Sequence, residues 1–162
     1  IITADKDLGQ CVEGTRVVQY DRRKREIVDE DGVRAKFGVG PESIADYLAL
    51  VGDSADGYPG IAGWGAKSTA AVLARYGRID DIPAQASLWD VPGLRGAAKL
   101  SATLQADMEH ALLFRIIATV DRDVPVGAVD DWRWTGPTAE FAAVAAELGA
   151  PALATRAAAL TP

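Results

Sequence analysis

Cysteine and histidine are almost missing: Cys11 and His110 are the only examples in 162 residues. An internal disulfide is thereby excluded, and the usage agrees with a reducing compartment. A thiolate–imidazole zinc set cannot be assembled either. Cys11 reads as a small buried hydrophobe, and His110 as a surface residue of a helix. No run of about 18 apolar residues occurs, so no segment is suited to span a membrane, and no signal-peptide pattern is visible. Excess positive charge is lacking as well. The net charge of −6 argues against a bulk nucleic-acid binder. What the chain does have is apolar mass, 49% of residues, which supports a packed core rather than disorder. Its length suits one ordinary domain or two small ones.

The charge is unevenly spread. Residues 1–59 carry net −4 and residues 101–162 net −4, whereas 60–100 carry net +2 from Lys67, Arg75, Arg78, Arg95 and Lys99. That middle third also holds the glycine-rich turns, so a phosphate backbone would dock there. Ile1–Ala4 reads as a strand end, and Lys6–Cys11 as a short helix or turn. Two β-branched residues at the first positions look like the inside of a strand, so the chain is expected to be the C-terminal part of something longer. Thr15–Tyr20 and Glu26–Asp29 read as a hairpin, with Arg22-Arg23-Lys24-Arg25 as its solvated tip. Pro41 and Glu42 open a helix, with Ile44, Tyr47, Leu48 and Val51 on its core face and Gly52 as its stop. Further helices are predicted over Ala66–Tyr76, Ser101–Val120, Pro137–Leu148 and Ala150–Leu160, with 121–136 irregular.

Chemistry concentrates in two acidic pairs and one turn. Asp5 and Asp7 are two apart at a strand end and can point the same way. Asp53 and Asp56 are three apart, within one helical turn. Hard oxygen ligands of this kind suit Mg²⁺ or Mn²⁺ rather than zinc. A single aspartate is most simply a cap or turn former; four in two compact pairs are more than that. Directly after Asp56 come Gly57, Gly60, Gly63 and Gly65, and then a helix opening with Lys67 and Ser68. Glycines let a phosphate approach the backbone, and the free N–H groups of a helix start favour an anion. That is the logic of a helix–hairpin–helix element, which grips phosphates without reading bases. It is not a Walker loop, because Gly-Lys-Ser/Thr at the required spacing is missing. Trp64 reads as a core anchor. Pro59-Gly60-Ile61-Ala62-Gly63 is matched by Pro92-Gly93-Leu94-Arg95-Gly96, each ahead of a helix with an early lysine, which predicts two related helical hairpins.

Thr3-Ala4-Asp5-Lys6-Asp7-Leu8-x-Gln10 followed by Asp46-Tyr47-x-Ala49-Leu50-x-Gly52-Asp53-x-x-Asp56-x-x-Pro59-Gly60-Ile61-x-Gly63-x-Gly65-x-Lys67 resembles the bacterial 5′–3′ exonuclease and flap endonuclease family. That family includes the N-terminal nuclease of DNA polymerase I. Residues 111–125 are similar to the family's closing helix, so the resemblance runs from residue 1 to about 126. The family's usual Ser-Asp-Asn is Ala55-Asp56-Gly57 here, and its N-terminal half, with further carboxylates and a basic arch, has no counterpart in these residues.

The resemblance implies an α/β remnant over 1–38, carrying a few strands of a PIN-like nuclease sheet. A mainly α domain would follow over 39–126, built on helix–hairpin–helix (helix-3-turn-helix) geometry, and then a helical tail over 127–162. It implies a two-metal phosphodiesterase with Asp5, Asp7, Asp53 and Asp56 as catalytic metal ligands for two Mg²⁺ or Mn²⁺ ions. It also implies K⁺ at the hairpin and a grip on duplex DNA, with a 5′ end or flap, through Gly60, Ile61, Gly63, Gly65, Lys67 and Ser68. Arg95 and Lys99 would extend that track. The expected setting is replication and repair, in a monomeric, cytoplasmic, nucleoid-associated bacterial protein. The alanine-rich tail favours a free-standing nuclease over the front of a polymerase. The competing reading is a non-catalytic helix–hairpin–helix binder of duplex DNA, in which four unneutralised carboxylates would repel the backbone. A glycosylase built on the same hairpin would carry its aspartate after the turn, not before it.

Overall fold

A computed structural model describes residues 1–161. These fall into two compact units, Ile1–Asp121 and the residues from Arg122 on. The first unit is mainly helical with one small antiparallel sheet, β1 (Gln19–Asp21) paired with β2 (Glu26–Val28). Its helices are α1 (Glu30–Phe37), α2 (Ile44–Val51), α3 (Ala66–Tyr76), α4 (Ala97–Ala106) and α5 (Met108–Ala118). Residues 1–38 pack into this same unit. Among the described residues, no helix is long and apolar enough to cross a membrane.

α2 is the axle. The sequence pattern assigns one face of it to the core, but every residue from Ile44 to Leu50 is buried. The reason is position: α5, α3 and the first turn of the chain all pack on α2, and a helix apolar almost all round belongs inside. The one charge in that stretch, Asp46, is 3% exposed. Its Oδ1 accepts the Ile79 N–H at 2.9 Å and Arg115 Nη1 at 3.2 Å. Arg115 also reaches Asp80. This network ties α2 to α5 and to the turn after α3. Asp46→Ala would leave the buried Ile79 N–H without its acceptor and take from Arg115 one of its two carboxylate partners, so we expect a loss of about 2 kcal/mol in chemical denaturation. Asp46→Asn, which keeps the acceptor, should lose less.

α3 begins and ends where the glycines predict. Gly65 precedes it in extended conformation, and Ser68 Oγ turns back to accept the Gly65 N–H at 3.1 Å and donate to its carbonyl at 3.0 Å. Gly77 ends it at φ +78. Thr69, Val72 and Leu73 form its buried stripe.

Four local expectations are corrected. Ile1–Ala4 is not an assigned strand, although Ile1 exchanges hydrogen bonds with Val18 and Tyr20 beside β1. The periodic segment 101–120 is two helices. Asp107 (φ −125, ψ 25) leaves the helical region, and its carboxylate pairs with exposed His110 at 2.5 Å instead. Cys11 is only half-buried. The hairpin strands are shorter than predicted, because residues 14–16 form a turn closed by a Glu13–Val17 bridge.

The second unit holds a short 3-10 turn (Val129–Trp132), α6 (Phe141–Glu147) and α7 (Ala152–Ala158), with α6 packed on α7. Within it the Trp132 indole N–H donates to the Val126 carbonyl at 2.6 Å.

Candidate metal centre and phosphate groove

The first acidic pair sits on a loop and a 3-10 turn, not on a strand end. Asp7 opens the turn Asp7–Cys11. Gln10 fastens that turn: its Nε2 donates to the Asp7 carbonyl at 2.9 Å and to the Ala118 carbonyl, at the end of α5, at 2.7 Å. The second pair flanks a tight loop after α2. Gly52, at φ +88, turns the chain out of the helix, and Asp53 and Tyr58 then exchange backbone hydrogen bonds at 3.0 and 3.2 Å. Asp56 is exposed on the loop between them.

The fold brings three of the four aspartates together. Asp7, Asp53 and Asp56 each offer a carboxylate oxygen within 4.8 Å of the others. Asp5 is not a member of that group. Its exposed carboxylate folds back so that Oδ1 accepts the Asp7 N–H at 3.2 Å, while its carbonyl accepts the Gln19 side chain at 2.7 Å. The two residues are joined through a bend at Lys6 and not along a strand, and the Asp5 charge still acts on Asp7.

Crowding leaves an electrostatic signature. Burial, together with the charges of Asp5, Asp56 and Asp53 and a side-chain hydrogen bond with Asp56, pushes the Asp7 carboxyl up to about 6. Its Oδ1 is buried and has no hydrogen-bond partner. Burial alone would raise Asp53 too, but a hydrogen bond and the charge of Lys6, with the Ala55 N–H at 3.0 Å, bring it below the ordinary carboxylate range. Lys6 Nζ forms an ion pair with Asp53 Oδ2, and Asp53 is 2% exposed. Three converging carboxylates, one with an orphaned buried oxygen, offer the kind of hard oxygen donors that could hold a divalent cation.

A few residues on, the chain lines a groove of about 630 Å³. On one side stand Gly63, Gly65, Ala66, Lys67 and Ser68, on the other Pro92, Gly93, Leu94 and Arg95. A smaller pocket continues it along Gly96 and Lys99. The two similar Pro-Gly turns therefore face one space, with the starts of α3 and α4 beside it. The N–H groups of Ala66, Lys67 and Ser68 precede the first intrahelical bond of α3, Thr69 N–H to the Gly65 carbonyl. Lys67, Arg95 and Lys99 are exposed, and no carboxylate is among the lining residues. Ser68 borders the groove, but its hydroxyl is engaged in the α3 cap. Gly60 and Ile61 are buried at the base of the turn, where Ile61 N–H donates to the Leu50 carbonyl at 2.9 Å.

Trp64 fixes the spacing of the two turns. It is 5% exposed, its indole N–H donates to the Leu100 carbonyl of α4 at 3.2 Å, and its ring lies 6.0 Å from that of Trp89. It is the core anchor that the sequence predicts. Lys6 and Gln10, which the family motif contains without an assigned role, and Tyr58, which it leaves open, join the site. Lys6 carries the one available signal, a cation placed between two aspartates.

A mainly helical unit with one minor sheet, an acidic corner and two glycine turns facing a shared groove defines a SAM-like helical module. The chain belongs to the family described as 5′-3′ exonuclease, C-terminal SAM fold, whose model matches residues 39–140. DNA polymerase I of Pseudomonas aeruginosa is 39% identical over 147 residues, which is 90% of this chain and 16% of that protein. A 5′-3′ exonuclease of Aquifex aeolicus is 43% identical over 82 residues, 51% of this chain and 28% of that one. The chain thus spans a minor part of the relatives it matches. Among solved structures, the bacteriophage T5 flap endonuclease in complex with DNA and metal ions superposes with a TM-score of 0.58 at 21% identity, covering 72% of this chain and 41% of that one. A T5 5′-exonuclease with bound zinc superposes equally, also at 0.58, with 22% identity. These two likenesses establish the fold.

Proposed function

We propose that this chain carries part of the metal site and the duplex-gripping surface of a divalent-metal-dependent 5′-3′ exonuclease or 5′ flap endonuclease acting on DNA in replication and repair. The observation that carries the reading is the convergence within 4.8 Å of Asp7, from the first turn, with Asp53 and Asp56, from the loop that leads toward the basic groove. The three carboxylates would hold one Mg²⁺ or Mn²⁺ ion. The second ion that the family resemblance implies would draw on Asp5 beside them. When bound, such ions supply Lewis acidity toward a phosphodiester and a nucleophile at neutral pH. Lys6 holds Asp53 in its ionised form, and Gln10 holds the turn that presents Asp7. The α3 start, Lys67, Arg95 and Lys99 bind phosphates of the duplex without reading bases. A K⁺ ion at the carbonyls of the 60–65 turn belongs to the same reading.

The duplex grip is tested by anisotropy titrations over a range of salt. Lys67→Ala should weaken binding evenly across sequences and reduce the log–log salt slope by about 1. An unchanged slope would count against the groove.

Metal binding should also be pH-dependent. The Asp7 proton is held up to about pH 6 and released above it. A cation that needs the carboxylate competes with that proton, so affinity rises with pH through this window. Calorimetry should give about a tenfold gain in Mn²⁺ affinity from pH 5 to pH 7, with little beyond. A flat profile would remove Asp7 from the ligand set.

A further inference from the structure

Tyr58 stands where a plain hydrophobe would fill the space. Its ring is 4% exposed and stacks on Phe114 of α5, with centroids 5.3 Å apart and planes 20° apart. Its backbone is paired with Asp53. A phenylalanine would satisfy all of this. The hydroxyl is buried and has no hydrogen-bond partner, a costly state for a polar group. Asp7 Oδ1, in the same acidic corner, is the other orphaned carboxylate-site atom. Asp7, Asp53 and Asp56 are its electrostatic neighbours, and a phenol can donate one hydrogen bond.

We infer that Tyr58 is a positioning residue of the acidic corner, its hydroxyl donating a hydrogen bond to an Asp ligand or to a water of the bound cation's shell once the ion is in place. The inference rests on the reading of Asp7, Asp53 and Asp56 as a divalent-cation site. Hydrogen bonds to metal ligands fix their orientation, and their removal commonly lowers metal affinity 10–100-fold. The stack on Phe114 gives the phenol a rigid mount on α5, the helix end that Gln10 also clamps to the Asp7 turn. Two independent contacts therefore tie this corner to α5.

The test compares the full wild-type chain with Tyr58→Phe by Mn²⁺ calorimetry, and by thermal melting in a chelator. The metal-free variant should melt at or above the wild-type temperature, because an unpartnered hydroxyl is gone. Its Mn²⁺ affinity should be at least about tenfold weaker. A variant that melts lower with unchanged Mn²⁺ affinity would make the hydroxyl purely structural and overturn the inference. A wild-type chain with no saturable Mn²⁺ binding would instead remove the cation site beneath it. A second measurement does not depend on the variant folding: adding Mn²⁺ to the wild type should change the tyrosine ultraviolet difference spectrum, and no change would overturn the inference.

Discussion

Asp7→Asn combined with Asp53→Asn is expected to abolish saturable Mn²⁺ binding, with affinity falling at least about a hundredfold, roughly 3 kcal/mol. Asparagine keeps shape and one acceptor oxygen, so the Ala55 N–H bond to position 53 survives and the loop holds. What goes is anionic charge at two of the three oxygens that lie within 4.8 Å of one another. Like-charge repulsion among Asp7, Asp53 and Asp56 falls at the same time, offset by the loss of the Lys6 partner. The metal-free variant should therefore melt close to the wild type. Calorimetry with a parallel thermal melt separates the two effects. A double variant that binds Mn²⁺ as the wild type does would place the ion elsewhere.

Gly60→Ala should unfold the turn that both sites share. Gly60 sits at φ +72, and a Cβ there would lie 2.4 Å from Gly52 N, 2.5 Å from Val51 C and 2.6 Å from Leu50 O. All three are backbone atoms at the end of buried α2, so nothing can rotate away. Left-handed strain of about 1–2 kcal/mol adds to an overpacking cost of about 1–3 kcal/mol. The melting temperature should fall by roughly 10–20 °C. Gly63→Ala is the internal control. Gly63 has φ +85 but open space around its Cβ position, so only the strain, about 1 kcal/mol, should be lost. Equal melting temperatures for the two variants would contradict the close approach of the turn to α2.

Much of this was readable because local chemistry and tertiary structure agree. Gly65 and Gly77 bound α3, Pro41 marks the turn that opens α2, and the repeated Pro-Gly turn proved to line one groove. Where they disagree, the sequence misleads. α1 carries only Val33 and Phe37 as buried residues and has Gly32 inside it, so it shows almost no apolar stripe. Its signals were the ends: Asp29 Oδ1 accepts the Gly32 N–H, and Gly38 closes the helix at φ +75. The break at Asp107 was hidden because the apolar spacing runs straight through it. In the site, Asp53 and Asp56 needed only a short loop to meet, but Asp5 and Asp7 depended on strand geometry that the turn at Lys6 replaces. Tyr58 gave no local sign, since its role depends on Phe114, 56 positions away.

The most direct measurement is anomalous scattering from crystals of the chain soaked in MnCl₂ at a concentration that saturates binding in solution. The account predicts a manganese peak within coordinating distance of the carboxylates of Asp7, Asp53 and Asp56, with the Lys6 ammonium moved off Asp53. Manganese ordered only at other residues, with Lys6 still paired to Asp53, would contradict it.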